Sequence, residues 1–184
     1  MGLKSHRAVV QESIVMSPDF LANLDTAKED EPEADPDLRK LLTNWLDYQR
    51  RVFRRKLRNL DPEGIAKMSI RPVSLSILGL IRHMTQMEHV YMSWGLGGGD
   101  RVMVYGDDDF EGGSPDTLET DLALYLAEVE KADRAIASLP SLESGGLGHG
   151  RPLQATLIKM VQEYAVHNGQ AHMLRYAALG EVIR

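Results

Sequence analysis

Apolar residues recur at intervals of three and four in separate segments of the chain, at about residues 38–60, 72–94, 114–140 and 151–179. This spacing places them on one face of an α-helix. Alternation with a period of two, which is typical of half-buried strands, is absent over any useful length. The pattern therefore predicts an all-α fold in which four amphipathic helices bury their stripes in a four-helix bundle. The longest stripe consists of Leu153, Leu157, Met160, Tyr164, His167, Ala171, Leu174 and Ala178.

Capping and helix-breaking residues stand at the ends of these segments. The middle connection, at about residues 95–114, is longer than the other two and contains a run of three glycines. A long middle connection favours a crossover between helix pairs over a simple up-and-down arrangement. The end signals are Asp37 and Pro62 around the first helix, Ser74 or Ser76 and Gly95 for the second, Ser114 and Pro140 for the third, and Gly180 after the fourth.

Charge divides the chain into two parts. The net charge of −6 comes entirely from residues 1–37, which hold three basic and nine acidic side chains, whereas residues 38–184 are neutral. Hydrophobic residues make up 43% of the 184 residues, which is enough for one globular core. We therefore expect an acidic N-terminal arm or linker at residues 1–37 and a bundle domain at residues 38–184.

Composition also excludes several classes of protein. The chain has no cysteine, which removes disulfides, cysteine-ligated metals and a thiol nucleophile of its own. No apolar run approaches the roughly 20 residues of a membrane-spanning helix, and the N-terminus lacks the apolar core of a signal peptide. The basic run at residues 50–58 divides around apolar positions, so most of it is expected to form a solvated face. We expect a cytoplasmic protein with neither membrane nor nucleic-acid partners.

Two histidines occupy positions on the predicted buried stripes, His83 in the second helix and His167 in the fourth. Glu163 lies one turn before His167, and residues four apart on a helix stack on one face with about 5–6 Å between Cβ atoms. His83 can approach the same point from a neighbouring helix. Two imidazoles and one carboxylate would hold a divalent metal and leave coordination positions open. The residues alone also allow hydrogen-bonded core histidines and a surface Glu–His ion pair.

Residues 72–88 (PVSLSILGLIRHMTQME) and 163–175 (EYAVHNGQAHMLR) resemble the second-helix and fourth-helix motifs of the DinB-like superfamily. The closer resemblance is to its branch known as DUF664. The two motifs stand in the same order as in the family, about 80 residues apart, and the resemblance covers residues 38–184. It leaves the acidic arm outside.

The resemblance implies a four-helix bundle with a crossover and a metal centre held by His83, Glu163 and His167. Many members of the superfamily have histidine where this chain has Glu163. A glutamate there is similar to the mycothiol-dependent maleylpyruvate isomerase branch. The chain departs from the DUF664 pattern at Gln170 and His172, where that pattern has His and Asp, and this departure leaves the three ligands intact.

The activity implied by the resemblance is that of a metal-dependent S-transferase or isomerase. Such an enzyme uses a low-molecular-weight thiol such as mycothiol on a small electrophile. The metal would act as a Lewis acid that holds the thiol as thiolate. Zinc is the first expectation, with iron, nickel or manganese as alternatives for two imidazoles and a carboxylate.

Three further polar residues are candidates for catalytic helper roles. Arg175 lies two turns beyond His167 and could pair with a substrate carboxylate. Gln49 lies on the inner edge of the first helix, and Gln170 is one turn from His167. Ordinary packing and a salt bridge within the bundle are the competing interpretations for these side chains.

Two other functions are compatible with the same pattern. One is a specialised biosynthetic tailoring enzyme on the same metal scaffold, with a substrate oxygen in place of the thiol. The other is a non-catalytic helical-bundle interaction protein whose acidic arm reaches a partner. In the enzyme interpretations the partner is a small-molecule substrate, and a homodimer formed through the outer face of the bundle or the arm is compatible with each of them.

Overall fold

The computed structural model describes residues 30–99, 101–107 and 109–181. These ranges contain the α-helices α1 (Leu38–Arg55), α2 (Pro62–Ala66), α3 (Ile77–Met87), α4 (Trp94–Gly97), α5 (Leu118–Ser138) and α6 (Leu153–Leu179). A π-helical turn, Glu88–Ser93, joins α3 to α4 without a break, and a 3₁₀ turn, Pro115–Thr117, leads into α5. Within the described ranges, β pairing is limited to an isolated bridge. The predicted all-α fold is confirmed.

Most of the predicted helix ends are found where the sequence signals place them. The carboxylate of Asp37 accepts hydrogen bonds from the first backbone N–H groups of α1, and Ser76 Oγ accepts one from Gly79 N at 3.0 Å. Gly180 closes α6 in the left-handed conformation, with a φ of 68°. Two boundaries differ from the prediction. The pattern starts the second helix at about residue 72, but α3 begins at Ile77 because Ser76 is its cap. The pattern extends the first helix to about residue 60, but α1 ends at Arg55, in turns that pass through Asn59 at a φ of 60°.

The predicted crossover is visible in the direction of α3 relative to α5. Arg82 Nη1 lies 3.3 Å from Asp121 Oδ1, and His89 Nδ1, in the π turn that extends α3, lies 3.2 Å from Glu128 Oε2. From the first contact to the second, the residue number rises along both helices, so α3 and α5 run parallel. Parallel neighbours require the connection after α4 to travel back along the whole length of α3, which is the crossover.

The same reasoning shows that α1 and α6 are the second parallel pair. Asn168 Nδ2 donates to Gln49 Oε1 at 2.7 Å, and seven residues later Arg175 Nη1 donates to the carbonyl of Lys56 at 3.2 Å. Along the contacts between α3 and α6, the residue number rises on one helix as it falls on the other. The pair of α3 and α5 therefore packs antiparallel to the pair of α1 and α6. No helix within the described ranges is long and apolar enough to cross a membrane.

A buried ion pair joins all four long helical rods of the bundle. The guanidinium of Arg50, from α1, donates two parallel hydrogen bonds to Glu88, each 2.8 Å long, and both side chains are almost fully buried. Tyr164 of α6 donates to Glu88 Oε1 at 2.6 Å, and its hydroxyl lies 3.0 Å from that of Tyr125 on α5. Burial and the charge of Glu88 raise the pKa of Tyr164 well above its usual value, so it remains a neutral donor.

This pair overturns part of the expectation for the basic run at residues 50–58. Arg50 and Arg55 are buried, and the other four cations are half-buried rather than exposed. The prediction of a mostly solvated face is wrong for Arg50 because a carboxylate faces it from the next rod. A pattern confined to one helix carries no information about that partner.

The acidic arm predicted at residues 1–37 lies largely outside the described residues. Residues 30–37 precede α1 without helical structure, and their last residue, Asp37, caps that helix. The division into arm and domain at residue 37 stays a prediction.

We expect Glu88→Gln to lower the free energy of unfolding by about 3–5 kcal/mol, because it leaves the buried Arg50 guanidinium without its carboxylate. Urea denaturation followed by circular dichroism measures the change. Asp133→Asn is the matched control: Asp133 also binds Arg50, at 2.7 Å, but its side chain is 55% exposed. This control substitution should lower the free energy of unfolding by no more than about 1 kcal/mol. Equal losses in the two variants would contradict the assigned role of the buried pair.

A second carboxylate, Glu128 on α5, binds the π turn to α5. Its Oε2 accepts from Ser93 Oγ at 2.5 Å, and its Oε1 accepts from Lys131 Nζ at 2.6 Å. Burial raises the pKa of Glu128, but the hydrogen bonds from His89, Lys131 and Ser93 outweigh it and lower the pKa from 4.5 to about 2. The folded protein therefore favours the ionised form.

Because the pKa of Glu128 is lowered on folding, its contribution to stability should be present above pH 4.5 and disappear as the pH falls to about 2. We expect Glu128→Gln to be less stable than the unaltered protein by roughly 2–3 kcal/mol near neutral pH. Urea denaturation at a series of pH values should show the two proteins converging in that acidic window. A difference independent of pH would contradict the assignment to this carboxylate.

Candidate metal centre

The three predicted ligands meet at one point between α3 and α6. One ligand atom each from His83, Glu163 and His167 lies within 4.8 Å of the other two. The three side chains are between 10% and 19% exposed, so each is largely shielded from solvent but not fully buried. The antiparallel packing of α3 on α6 brings His83 to the turn that carries the other two residues. Separations of this size allow one ion to contact all three groups.

Each imidazole is oriented by a hydrogen bond through its Nδ1 atom. His83 Nδ1 lies 2.8 Å from Asp109 Oδ2, and His167 Nδ1 lies 2.7 Å from Gln170 Oε1. Both partners are acceptors, so each Nδ1 carries a proton, and in the neutral imidazole this leaves the lone pair on Nε2, the atom that can bind a metal. Orientation of ligand imidazoles by carboxylate or amide oxygens is a recurring feature of metal sites in proteins.

The carboxylate of Glu163 is divided between two neighbours in a similar way. Its Oε1 accepts a hydrogen bond from Lys159 Nζ, while its Oε2 lies 3.5 Å from His167 Nε2. Burial raises the pKa of Glu163, but the hydrogen bond and charge of Lys159, together with the two histidines, produce a net lowering. The group is therefore an anion with one oxygen directed toward the cluster.

His83 is held in the neutral form that a metal ligand requires. Burial lowers its pKa, and the nearby His167 adds to this effect, while the Asp109 hydrogen bond opposes it. The ring of Phe110 stacks on that of His83 with 4.2 Å between centroids and forms an apolar wall on one side. A neutral imidazole in a partly apolar setting is a good donor to a divalent cation.

Two residues of this centre were not predicted. Asp109 lies in the crossover connection, outside the helical patterns, but its side chain is only 17% exposed and binds His83. Asp109 reaches the site because the crossover segment folds back along α3, which helical periodicity does not show. Lys159 did leave a signal, since it stands one turn before Glu163 on the same face.

The predicted helper residues divide into two groups. Gln170 lies at the centre, where it orients His167. Gln49 and Arg175 lie in the seam between α1 and α6: Gln49 accepts from Asn168, and Arg175 donates to the carbonyls of Lys56 and Arg58 at the end of α1. These contacts stabilise the packing of the two helices. Catalytic roles for the three residues stay predictions.

The arrangement suits a divalent ion with open coordination positions. Two neutral nitrogens and one carboxylate oxygen supply three protein bonds, and a fourth or later position remains for water or a substrate. All three ligand side chains have an orienting partner, so little rearrangement is needed on binding. The fold and cluster thus define the class: a helical bundle with an open two-histidine, one-carboxylate candidate centre.

Comparison with known families gives the identity of that class. The chain matches the family model described as mycothiol-S-transferase over residues 41–180. The match covers 140 of the 184 residues, and the chain belongs to the mycothiol-S-transferase family. This confirms the resemblance to a mycothiol-related family of the DinB-like type. Searches of curated proteins and of solved structures gave no match.

We expect the purified protein to bind one zinc ion per chain, and His83→Ala to remove that binding. Asp109→Ala should weaken zinc affinity by about 10–100-fold, because the His83 ring loses its orienting partner. Competition with a chromophoric zinc chelator measures both effects. His172→Ala is the control, since His172 packs against Tyr176 rather than the cluster. Unchanged zinc affinity in His83→Ala would refute the site.

Proposed function

We propose that the protein is a metal-dependent S-transferase that joins a low-molecular-weight thiol, mycothiol or a close analogue, to a small electrophile. The observation that carries this proposal is the His83–Glu163–His167 cluster, in which each ligand has its own orienting partner. Membership of the mycothiol-S-transferase family supports the choice of thiol.

The thiol must come from outside the chain, because the sequence contains no cysteine. A divalent metal in the cluster would supply Lewis-acid stabilisation of the thiolate form near neutral pH. Zinc is the metal we propose, since thiol transfer needs no redox change and zinc has none. Iron, nickel and manganese also accept this donor set.

The residues of the chain would hold and shape the reaction site. His83 and His167 contribute neutral nitrogens, and Glu163 contributes one negative charge, so a dication in the cluster would keep a net positive charge. That charge favours an anionic sulfur over a neutral thiol. Phe110, stacked on His83, limits the access of water from one side.

The proposed reaction balances without a redox partner. The thiol proton passes to water, and the sulfur forms a bond to the electrophilic carbon of an activated double bond. The π electron pair of that bond moves to the neighbouring carbon, which then takes a proton from water. Isomerisation uses the same addition followed by loss of the thiol. A reduced thiol as cosubstrate is consistent with a cytoplasmic location, which is part of the proposal.

We expect zinc-loaded protein to accelerate the loss of mycothiol in the presence of N-ethylmaleimide, measured by titration of remaining thiol. His83→Ala should lower kcat/KM by at least about 100-fold, since a three-ligand centre loses one ligand. Arg134→Gln is the control, because Arg134 is 69% exposed on α5 and pairs only loosely with Glu130, at 3.9 Å. It should retain full activity.

The competing functions give different results in the same experiments. If the protein binds zinc but consumes no thiol with any of the electrophiles tested, the transferase function is rejected and a tailoring enzyme is favoured. Absence of stoichiometric metal would instead favour the non-catalytic interaction protein. Sedimentation equilibrium of the same preparation tests the homodimer, which stays a prediction of the sequence.

A further inference from the structure

A row of cations and aromatic rings extends from the candidate metal centre. Lys159 Nζ lies 5.8 Å from the centroid of the Tyr91 ring, and Arg151 Cζ lies 5.6 Å from the same centroid. A second contact lies three residues along the chain from Tyr91, where Arg101 Cζ is 5.2 Å from the centroid of Trp94. We call these five residues the cation–aromatic surface. Each cationic group of this surface lies over an aromatic ring, and this cation–π contact favours a defined position of the group.

This surface is continuous with the centre through Lys159. The ammonium group of Lys159 binds the ligand Glu163, while its stem passes the Tyr91 ring. Lys159 and His167 are eight residues apart on α6, or about 12 Å along the helix axis. A molecule reacting at the cluster can therefore extend past Lys159 toward the Tyr91 ring.

The surface carries positive charge that the described residues leave largely uncompensated. Glu163 neutralises Lys159, whereas no carboxylate within the described ranges forms an ion pair with the guanidinium of Arg101 or Arg151. Both arginines are exposed. Guanidinium groups lying on aromatic rings keep their N–H edges free for a planar anionic group, to which they can donate two bonds at once.

Arg151 is held in place by its backbone on both sides. Its N–H donates to His149 Nδ1 at 3.0 Å, and its carbonyl accepts from Gly146 N at 2.9 Å. The other nitrogen of His149 lies 3.1 Å from the carbonyl of Tyr91, the residue whose ring faces the Arg151 guanidinium. One imidazole thus links the two partners of this cation–π contact.

The glycine-rich segment at residues 145–150 makes this placement sterically feasible. A Cβ atom on Gly146 would lie 2.3 Å from the carbonyl oxygen of Gly95, and one on Gly148 would lie 2.3 Å from that of Trp94. Only glycine allows the segment to pack this closely on α4. The segment is therefore fitted to the helix that carries the aromatic residues, which makes Arg151 part of a preorganised surface.

We propose that the cation–aromatic surface binds an anionic group of the electrophile, a carboxylate or a phosphate, while the apolar body of the electrophile lies toward Tyr91. Arg151 is the residue that selects the anion, and Arg101 adds to the attractive field. The inference rests on the proposed transferase function, because it names the class of electrophile. It goes beyond that function by assigning a second binding point outside the metal cluster.

The first test measures binding without chemistry. The probes are 6-succinimidohexanoate, which cannot accept a thiol, its uncharged primary amide, and a phosphonate of the same length. Isothermal titration calorimetry with zinc-loaded protein should show the anions binding at least about tenfold more tightly than the amide. Arg151→Gln should remove most of that advantage, and Arg151→Lys should restore part of it. Arg134→Gln, an exposed arginine away from this surface, should change nothing.

The outcomes of this test separate two explanations. Equal affinity for the carboxylate and the amide overturns the proposal, as does an anion preference that survives in Arg151→Gln. If the preference disappears in His83→Ala but survives in Arg151→Gln, the anion binds the metal and not the cation–aromatic surface. Stronger binding of the phosphonate or of the carboxylate identifies which anion the surface selects.

The second test uses turnover. With mycothiol as cosubstrate, 6-maleimidohexanoate should have a lower KM than N-ethylmaleimide, and Arg151→Gln should raise that KM about tenfold with little change in kcat. Loss of activity toward both maleimides, with anion binding intact, would reject the transferase function while leaving the binding site in place. Activity toward both maleimides at equal KM would reject the binding site alone.

Discussion

The buried Arg50–Glu88 ion pair is the contact on which the register of the bundle depends. Two charges removed from water are tolerated only when they face each other with good geometry, and here both are also bound by neighbouring side chains. Sliding α1 or α3 by one turn would separate them. Glu88 lies five residues after His83, and its partner Tyr164 lies next to Glu163. The hydrogen bond from Tyr164 to Glu88, which aligns α6 with the rod of α3, therefore also aligns the candidate metal ligands.

The π turn at Glu88–Ser93 lies at the junction of these two features. A π turn adds a residue to a helical turn and rotates the following side chains around the axis. Glu88 faces the centre of the bundle at its start, while Tyr91 faces Lys159 and Arg151 within it. Glu128 anchors the same turn to α5 through Ser93. The irregular turn thus serves both the buried pair and the cation–aromatic surface.

Charge in the domain is neutral in sum but strongly ordered in space. Arg50 is compensated internally, Glu163 is directed at the candidate centre, and Arg101 and Arg151 face outward beside it. This ordering supports a chemical interpretation in which a thiol is activated at one point and an anionic electrophile is held at another. The net charge of the domain does not reveal this arrangement, because it counts the charges without recording where they lie.

The sequence by itself determined the four long helices and the shared face of Glu163 and His167, because helical periodicity and i, i+4 spacing are local properties. The length of the middle connection indicated the crossover, and the family resemblance supported adding His83 to the expected ligand set. It also indicated the family. Only the tertiary structure decided that Arg50 is buried against Glu88, that Asp109 orients His83, and that Arg151 faces Tyr91. These pairs are 26 to 60 positions apart in the chain. Their contact depends on how helices and loops pack against one another, which no pattern within a single helix records.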